Sequence, residues 1–245
     1  MLEPSRPAYH LGAVVTAHMM VTVAIALMGA FWLSSHVPLH ASAPVFAVFV
    51  VVGSILAAEP VRRKEQPERF GPANRITLAR SLLVAAVACL IGAPPTTETA
   101  TGASIVAIVA LCMDGLDGWV ARKTDSISAY GAQLDMELDS IFMMVLCIMV
   151  FDWDHAGPWV LSGGLARYGW LAVQSVVVWF RRPLLPAFRR KTACVVGVAG
   201  LALALAPWPW AQLNFVLATI ATMSIVLSFG IDAVWLIRHR KDPLP

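Results

Sequence analysis

The stretch DGLDGWVARKTDSISAYGAQLDMELD, residues 114–139, carries five aspartates in a chain that is otherwise strongly apolar, and four of them fall in two pairs. Asp114 and Asp117 are three residues apart, and Asp135 and Asp139 are four apart, so each pair shares one face of a helix. A carboxylate at the bilayer centre costs roughly 2.5–3.5 kcal/mol even on insertion scales. Four such charges on two successive helices would repel one another, and the pattern therefore predicts a site that binds cations.

The rest of the composition is that of an integral membrane protein. Of 245 residues, 58% are hydrophobic and only 13% are charged, with a mean hydropathy of +0.72, whereas soluble domains have about 25% charged residues. The fold is therefore predicted to be all-α with about eight spans, each near the ~20 residues that cross a bilayer as a helix. The apolar runs are residues 11–33, 42–58, 76–93, 103–119, 134–151, 158–180, 192–208 and 211–236.

The placement of lysine and arginine predicts the orientation of these spans. Basic residues occur in alternate connections, at residues 61–75, 122–123 and 181–191 and in the tail at 238–241, and the intervening connections have none. Because cytoplasmic loops carry the excess of positive charge, both termini and the aspartate-rich connection are predicted to be cytoplasmic, in a multi-pass protein of the inner or plasma membrane. The net charge of +3 follows from this topology. It indicates no nucleic-acid partner, although the basic loops could hold anionic lipid headgroups.

A charged, proline-containing linker, EPVRRKEQPERFGPANR at residues 59–75, divides the chain. The predicted domains are an N-terminal two-span hairpin (1–60), a cytoplasmic basic linker (61–75) and a six-span catalytic body (76–245). The hairpin contains no acidic residue except Glu3 and Glu59. A chain beginning near Val61 is therefore expected to keep metal and nucleotide binding, even if its stability falls.

The opening stretch resembles the D-x2-D-G-x2-A-R-x8-G-x3-D-x3-D signature of the CDP-alcohol phosphatidyltransferase family. All eight fixed positions are filled, by Asp114, Asp117, Gly118, Ala121, Arg122, Gly131, Asp135 and Asp139. A second, weaker similarity lies in GPANRITLARSLL at residues 71–83, which resembles the family's P-N-x-x-T-x-x-R pattern with Asn74, Thr77 and Arg80. Here an alanine separates Pro72 from Asn74, a departure from the family pattern.

The resemblance implies a metal site that holds two divalent ions, Mg²⁺ or Mn²⁺, as the cofactor. Ligand sets made only of oxygen atoms suit these ions better than they suit zinc. It assigns Asp114, Asp117 and Asp135 as metal ligands. Asp139 is placed close to the metals, with the role of the base that takes a proton from the acceptor hydroxyl. The residues implied to contact the nucleotide or donor are Asp117, Gly118, Ala121, Arg122, Gly131, Asn74 and Thr77.

The activity implied by the resemblance is transfer of a phosphatidyl group from CDP-diacylglycerol to the hydroxyl of a small polar alcohol, with release of CMP. The acceptor could be glycerol 3-phosphate, an inositol phosphate or serine. The alternative within the family is transfer of a headgroup from a soluble CDP-alcohol to a lipid hydroxyl, and the same aspartates would serve both. Similar enzymes commonly form homodimers, so a homodimer is expected.

Two other classes of membrane protein also place aspartates in helices. A transporter could use them as a charge network, but ion pairs do not need glycine and alanine at fixed offsets. An intramembrane prenyltransferase would normally bring two aspartate-rich motifs, and this chain has one such cluster. Both alternatives are therefore less favoured than the phosphatidyltransferase.

Several other charged side chains lie in or beside the apolar runs. Arg80, Arg167, Arg181 and Arg182 are candidates for binding the acceptor or a lipid headgroup. The alternative for Arg80 is snorkelling to the membrane interface, and for Arg181 and Arg182 it is simple anchoring at the cytoplasmic side. Asp232, inside the last apolar run, is expected to pair with a residue that the sequence does not identify.

Overall fold

A computed structural model describes residues 9–65, 72–123, 128–182, 184 and 188–240. These residues form eight α-helices and two short 3₁₀ helices, with no strand. The α-helices are α1 (Tyr9–Ser34), α2 (Ala43–Glu65), α3 (Pro72–Ala88), α4 (Thr97–Lys123), α5 (Ala129–Asp152), α6 (Leu161–Val176), α7 (Phe188–Ala204) and α8 (Ala211–Arg238).

The all-α fold predicted from hydropathy is confirmed over this described part of the chain. Four of its helices are long and apolar enough to cross a membrane, at Ala17–Ser34, Ala43–Val61, Thr97–Leu116 and Gln212–Arg238. Large apolar side chains on these helices are exposed, for example Phe31, which is 80% exposed, and Phe49, which is 61% exposed. Such outward-facing apolar surface is expected where a helix faces lipid rather than water.

The sixth apolar run differs from the prediction of one continuous helix. It begins with a 3₁₀ turn at Pro158–Val160, continues as α6, and is interrupted at Val177, whose backbone is extended (φ −105°, ψ 101°), before a second 3₁₀ turn at Val178–Arg181. The interruption falls in a run of three valines, and β-branched residues lower helix propensity. Arg181 folds back to donate hydrogen bonds to the carbonyls of Gln174 (2.6 Å) and Ser175 (2.9 Å), which satisfies the end of α6.

The chain forms two compact units, and α4 and α5 contribute residues to both. The first unit comprises Met1–Ala93 and Val109–Ile141. Within it α2 packs against α1 and α3, using a stripe of side chains that are at most 2% exposed. The stripe follows the 3.6-residue period of one helix face and consists of Ala47, Val50, Val51, Ser54, Ile55 and Ala58.

The second unit comprises Pro94–Ile108 and Phe142–Pro245. Its helices α7 and α8 pack closely through small residues. A Cβ on Gly200 would lie 2.9 Å from the Cβ of Ala221 and 3.2 Å from the carbonyl oxygen of Leu217, and Gly197 faces Ile225 in the same way. Small residues let helix backbones approach each other, as is common between helices in membranes.

Candidate active site

The first unit brings the aspartates of α4 and α5 together with polar residues of α3. Helix α5 begins at Ala129, five residues before the predicted start of that span. The Ser128 hydroxyl accepts a hydrogen bond from the backbone N–H of Gly131 at 3.0 Å, as an N-cap serine does. Asp135 and Asp139 therefore lie in the second and third turns of a capped helix, which holds their side chains on a fixed face.

Helix α3 presents a buried polar stripe toward these aspartates. The helix begins at Pro72, a residue well suited to the first helical position. Asn74, Thr77 and Arg80 follow at intervals of three and so share one face. They are 4%, 4% and 1% exposed, although the rest of this helix is largely apolar. Burial of three polar side chains on one face indicates polar partners opposite that face.

Arg80 has three of those partners. One terminal nitrogen, Nη1, donates to Oδ1 of Asp114, and the other, Nη2, donates to Oδ1 of Asp135. Nη2 also lies 3.1 Å from Oδ1 of Asp139. The arginine side chain is 2% exposed, and the three aspartate side chains are 32–36% exposed. A single buried guanidinium therefore offsets part of the negative charge of three carboxylates.

The three carboxylates are arranged as metal ligands would be. One oxygen each from Asp114, Asp135 and Asp139 lies within 4.8 Å of the others. The three carboxylates carry more negative charge than Arg80 alone offsets, and such an excess favours a further cation. Carboxylate oxygens are the ligands that Mg²⁺ and Mn²⁺ prefer, so these residues fit the metal that the sequence motif implies.

Asn74 and Gly131 form a second contact between α3 and α5. A Cβ on Gly131 would overlap Oδ1 of Asn74 and lie 3.1 Å from Oγ of Ser128. Asn74 of α3 contacts Gly131 of α5. Arg80, later in α3, contacts Asp135 and Asp139, which are later in α5. The two helices therefore run in the same direction. The glycine lets the asparagine side chain lie directly on the first turn of α5.

Four residues of the signature are known here only by their backbone. Asp117, Gly118, Ala121 and Arg122 belong to α4, but their side chains lie outside the described residues. Asp117 is one helical turn beyond Asp114 on the same helix, which keeps it on the same face. Its role as a ligand, and the roles of the other three, remain predictions.

The other candidate arginines lie in the second unit, where two of them cap helices. Arg182 donates to the carbonyl oxygens of His239 and Arg240, the second at 3.1 Å, just beyond the end of α8. Arg181 satisfies the end of α6, as described above. Cations at helix C-termini complement the helix dipole, so both contacts stabilise helix ends. The role of Arg181 and Arg182 in binding the acceptor or a lipid headgroup stays a prediction. Arg167 is half-buried on α6.

Asp232 is paired, as expected, and the structure identifies its partners on α7. Arg189 of α7 donates from Nη2 to Oδ1 of Asp232 at 2.6 Å, and from Nη1 to the carbonyl oxygen and hydroxyl of Ser228 at 2.6 and 2.9 Å. Arg190 approaches the same carboxylate at 3.5 Å. These contacts join α7 to α8.

The sequence does not predict the pairing of Arg80 with the aspartates, and the role of Arg80 in binding the acceptor or a lipid headgroup stays a prediction. The structure places its guanidinium among the aspartates. A signal was present in the sequence, because four aspartates need counter-cations and a lone arginine in the apolar run TLARSLLVAA, residues 77–86, needs carboxylates once it is buried. The guanidinium of Arg80 is the counter-cation of the aspartates, and their carboxylates are the partners that the buried arginine requires.

Comparison with known proteins agrees with the motif. A family model described as CDP-alcohol phosphatidyltransferase matches residues 70–230. Among curated proteins, the CDP-diacylglycerol--inositol 3-phosphatidyltransferase 1 of Arabidopsis thaliana is 36% identical over 47 residues, which cover 19% of this chain and 21% of that protein. The aligned stretch thus spans about a fifth of each protein. No solved structure matches the chain significantly.

Proposed function

Because the chain belongs to the CDP-alcohol phosphatidyltransferase family, we propose that it transfers a phosphatidyl group from CDP-diacylglycerol to the hydroxyl of a small polar alcohol. A bond forms between the acceptor oxygen and the phosphatidyl phosphorus. The bond from that phosphorus to the bridging oxygen breaks, and CMP leaves. The observation that carries this proposal is the cluster of carboxylate oxygens of Asp114, Asp135 and Asp139 within 4.8 Å of one another.

The residues of this cluster take distinct roles in the proposed reaction. Asp114 and Asp135, together with Asp117, would hold Mg²⁺ or Mn²⁺. A bound divalent cation supplies charge stabilisation to the phosphates of the donor. Asp139 accepts the proton of the acceptor hydroxyl, as a positioned carboxylate can.

The nucleotide end of the donor is proposed to lie near the start of α5 and the end of α4. Arg122 would donate to a donor phosphate through its planar guanidinium. Gly118 and Gly131 would let the cytidine approach the helix backbone, where a Cβ would intervene. Asn74 and Thr77 are buried on the facing stripe of α3, which supports their assignment to the same region, and Ala121 completes the signature there.

The identity of the acceptor and the choice of donor are both tested by experiment. The name of the Arabidopsis relative makes inositol the first acceptor to test, followed by inositol phosphate, glycerol 3-phosphate and serine. The reverse polarity, with a soluble CDP-alcohol as donor and a lipid hydroxyl as acceptor, would use the same aspartates. A panel that contains both polarities distinguishes them.

The experiment is an incubation of purified protein with Mg²⁺, CDP-diacylglycerol and each acceptor in turn, with CMP release and the lipid product measured. Parallel reactions contain CDP-choline or CDP-ethanolamine with diacylglycerol. We expect acceptor-dependent release of CMP from CDP-diacylglycerol, abolished by chelation of the metal. Turnover only with the soluble CDP-alcohols would reverse the proposed polarity, and no turnover with any pair would contradict the proposed function.

Matched variants connect the activity to the cluster. Asp114→Asn and Asp135→Asn remove one ligand charge each and are expected to lower Mg²⁺-dependent turnover at least about 10²-fold, because the metals hold the donor. Asp152→Asn is the control, since Asp152 is the last residue of the same helix, α5, and its side chain is exposed. Turnover near wild type in both cluster variants would remove the metal assignment.

We propose that the site faces the cytoplasm from a multi-pass protein of the inner or plasma membrane, with eight spans and both termini cytoplasmic. The alternation of basic and uncharged connections supports this orientation. Family resemblance supports a homodimer, and chemical crosslinking in native membranes, followed by gel analysis, tests it.

A further inference from the structure

Arg80 shares its partners with the proposed metal. The oxygens that accept hydrogen bonds from its guanidinium are Oδ1 of Asp114 and Oδ1 of Asp135, with Oδ1 of Asp139 at 3.1 Å. The same three residues form the group that could hold a metal ion. The arginine side chain is 2% exposed, so it contacts these carboxylates inside the protein rather than from the solvent.

It is unfavourable for the three carboxylates to pair with the Arg80 guanidinium and a divalent metal ion at the same time. A carboxylate accepts from a guanidinium at about 2.7–2.9 Å, and Mg²⁺ binds carboxylate oxygens at about 2.0–2.1 Å. A dication held by these oxygens would therefore lie within a few ångströms of the guanidinium nitrogens. Charges of like sign at that separation repel, and the repulsion is weakly screened because Arg80 is buried.

The cluster nevertheless needs a cation at all times. Three carboxylates whose oxygens lie within 4.8 Å would separate or take up protons if nothing offset their charge. The planar guanidinium offers donors in fixed directions, and here it bridges α3 to both α4 and α5. It can hold the ligands close together before any metal arrives.

We propose that Arg80 is an exchangeable counter-cation of this site: its guanidinium holds Asp114 and Asp135 in place without metal and leaves their oxygens when a divalent cation binds. The proposal rests on the metal site of the proposed function and adds that metal affinity is set by this exchange. By linkage, whatever free energy the arginine contributes to the metal-free cluster is subtracted from metal binding.

The test measures metal binding without any nucleotide or lipid substrate. Mn²⁺ binding to purified wild-type protein and to Arg80→Met is followed by the electron paramagnetic resonance of free Mn²⁺. Methionine keeps an unbranched apolar side chain but removes the charge. We expect Arg80→Met to bind Mn²⁺ about tenfold more tightly or better, within the ~5–150-fold range of typical coupling between sites.

Thermal unfolding supplies a second readout. Arg80→Met should unfold at a lower temperature than wild type in EDTA, because its carboxylates lack their counter-cation, and should gain more stability than wild type when Mg²⁺ is added. If Arg80→Met does not fold, Arg80→Lys serves instead. Lysine keeps the positive charge but lacks the planar guanidinium. The Mn²⁺ affinity of Arg80→Lys should therefore exceed that of wild type, by a smaller factor than that of Arg80→Met.

Arg189→Met is the matched control, because it also removes an arginine that is ion-paired to an aspartate, Asp232, and it should leave Mn²⁺ affinity unchanged. Weaker or equal Mn²⁺ binding by folded Arg80→Met or Arg80→Lys would overturn the proposal and make Arg80 a support for the ligands. Since no substrate is present, failure of the transfer assay leaves this result standing. Loss of Mn²⁺ binding in wild type would remove both the exchange and the metal site.

Discussion

The side-chain oxygen of Asn74 lies so close to the α-carbon of Gly131 that a Cβ at Gly131 would overlap it. Asn74 is 4% exposed and has little room to withdraw. The glycine of the signature therefore has a packing role between α3 and α5, in addition to any role in admitting the nucleotide.

We predict that Gly131→Ala destabilises the protein by about 1–3 kcal/mol, the usual cost of overpacking. Thermal unfolding in detergent measures this. Gly102→Ala is the control, because a Cβ there meets nothing within 4 Å and alanine is favoured over glycine in a helix by about 1 kcal/mol. Equal stability of the two variants would show that Asn74 moves aside without cost.

A double variant separates the two roles of the glycine. If the collision with Asn74 causes the loss, Asn74→Ala should restore part of the stability of Gly131→Ala, giving a coupling of about 0.5–3 kcal/mol. Because Asn74 is itself proposed to contact the donor, donor affinity is compared with that of Asn74→Ala alone, and the double variant should bind the CDP-linked donor more weakly if the nucleotide also needs this space.

The predicted N-terminal hairpin gives the second prediction. Ile55 is 2% exposed within the buried stripe of α2, whereas its neighbour Leu56 is 59% exposed. Ile55→Ala should cost about 2–4 kcal/mol through lost packing and a cavity, and Leu56→Ala should cost less than about 1 kcal/mol. Thermal unfolding again provides the measurement.

The hairpin is proposed to stabilise the site without supplying ligands. Donor affinity per folded molecule should therefore be unchanged in Ile55→Ala and within a few-fold of wild type in a chain that begins near Val61. Complete loss of donor binding in a folded truncated chain would show that the hairpin completes the site. Equal stability of Ile55→Ala and Leu56→Ala would instead show that this face contributes little.

Hydropathy was sufficient to predict where most helices lie, because helices that cross a bilayer must be apolar over a fixed length. It could not predict the interruption of the sixth run at Val177, because valine is as apolar as leucine and hydropathy does not record backbone propensity. The contact of Arg181 with the carbonyls of α6 connects residues six and seven apart and is invisible to any local pattern.

The aspartates of the candidate site could be predicted from their spacing, because i, i+3 and i, i+4 pairs must share a helix face. The pairing of Arg80 with Asp114 and Asp135 spans 34 and 55 residues. Periodicity places each residue on a face of its own helix but does not specify which faces meet. Chain topology determines that, and only the folded unit shows it.

The orientation of the spans gives the third prediction. A cysteine at Thr97, in a connection without lysine or arginine, and a cysteine at Ala129, beside the basic connection, should be labelled from opposite sides of the membrane. Both positions are exposed. Ala129 is preferred to Ser128, whose hydroxyl caps α5.

The labelling requires a background in which Cys89, Cys112, Cys147 and Cys194 are replaced. An impermeant maleimide added to intact cells should modify the cysteine at 97, and the cysteine at 129 only after the membrane is opened. Modification of both from outside would overturn the cytoplasmic placement of the site.

The last prediction separates Asp139 from the other aspartates, because a base and a metal ligand fail differently. Asp139→Asn should keep affinity for metal and CDP-donor within a few-fold while kcat falls roughly 10²–10⁴-fold, the usual contribution of positioned proton transfer. Asp114→Asn should weaken donor binding itself, since the pyrophosphate is held through the metals. Titration calorimetry of the donor, beside initial rates, measures both.

The geometry makes this a demanding test, since a carboxylate oxygen of Asp139 belongs to the same 4.8 Å cluster as the ligands, and Oδ1 of Asp139 lies 3.1 Å from Nη2 of Arg80. Asp152→Asn, on the exposed end of α5, controls for the substitution and should match wild type in both measurements. An equal collapse of donor affinity in Asp139→Asn and Asp114→Asn would make Asp139 chiefly a ligand. The proton would then pass to water or to a phosphate of the acceptor, and the base would have to be reassigned within the same site.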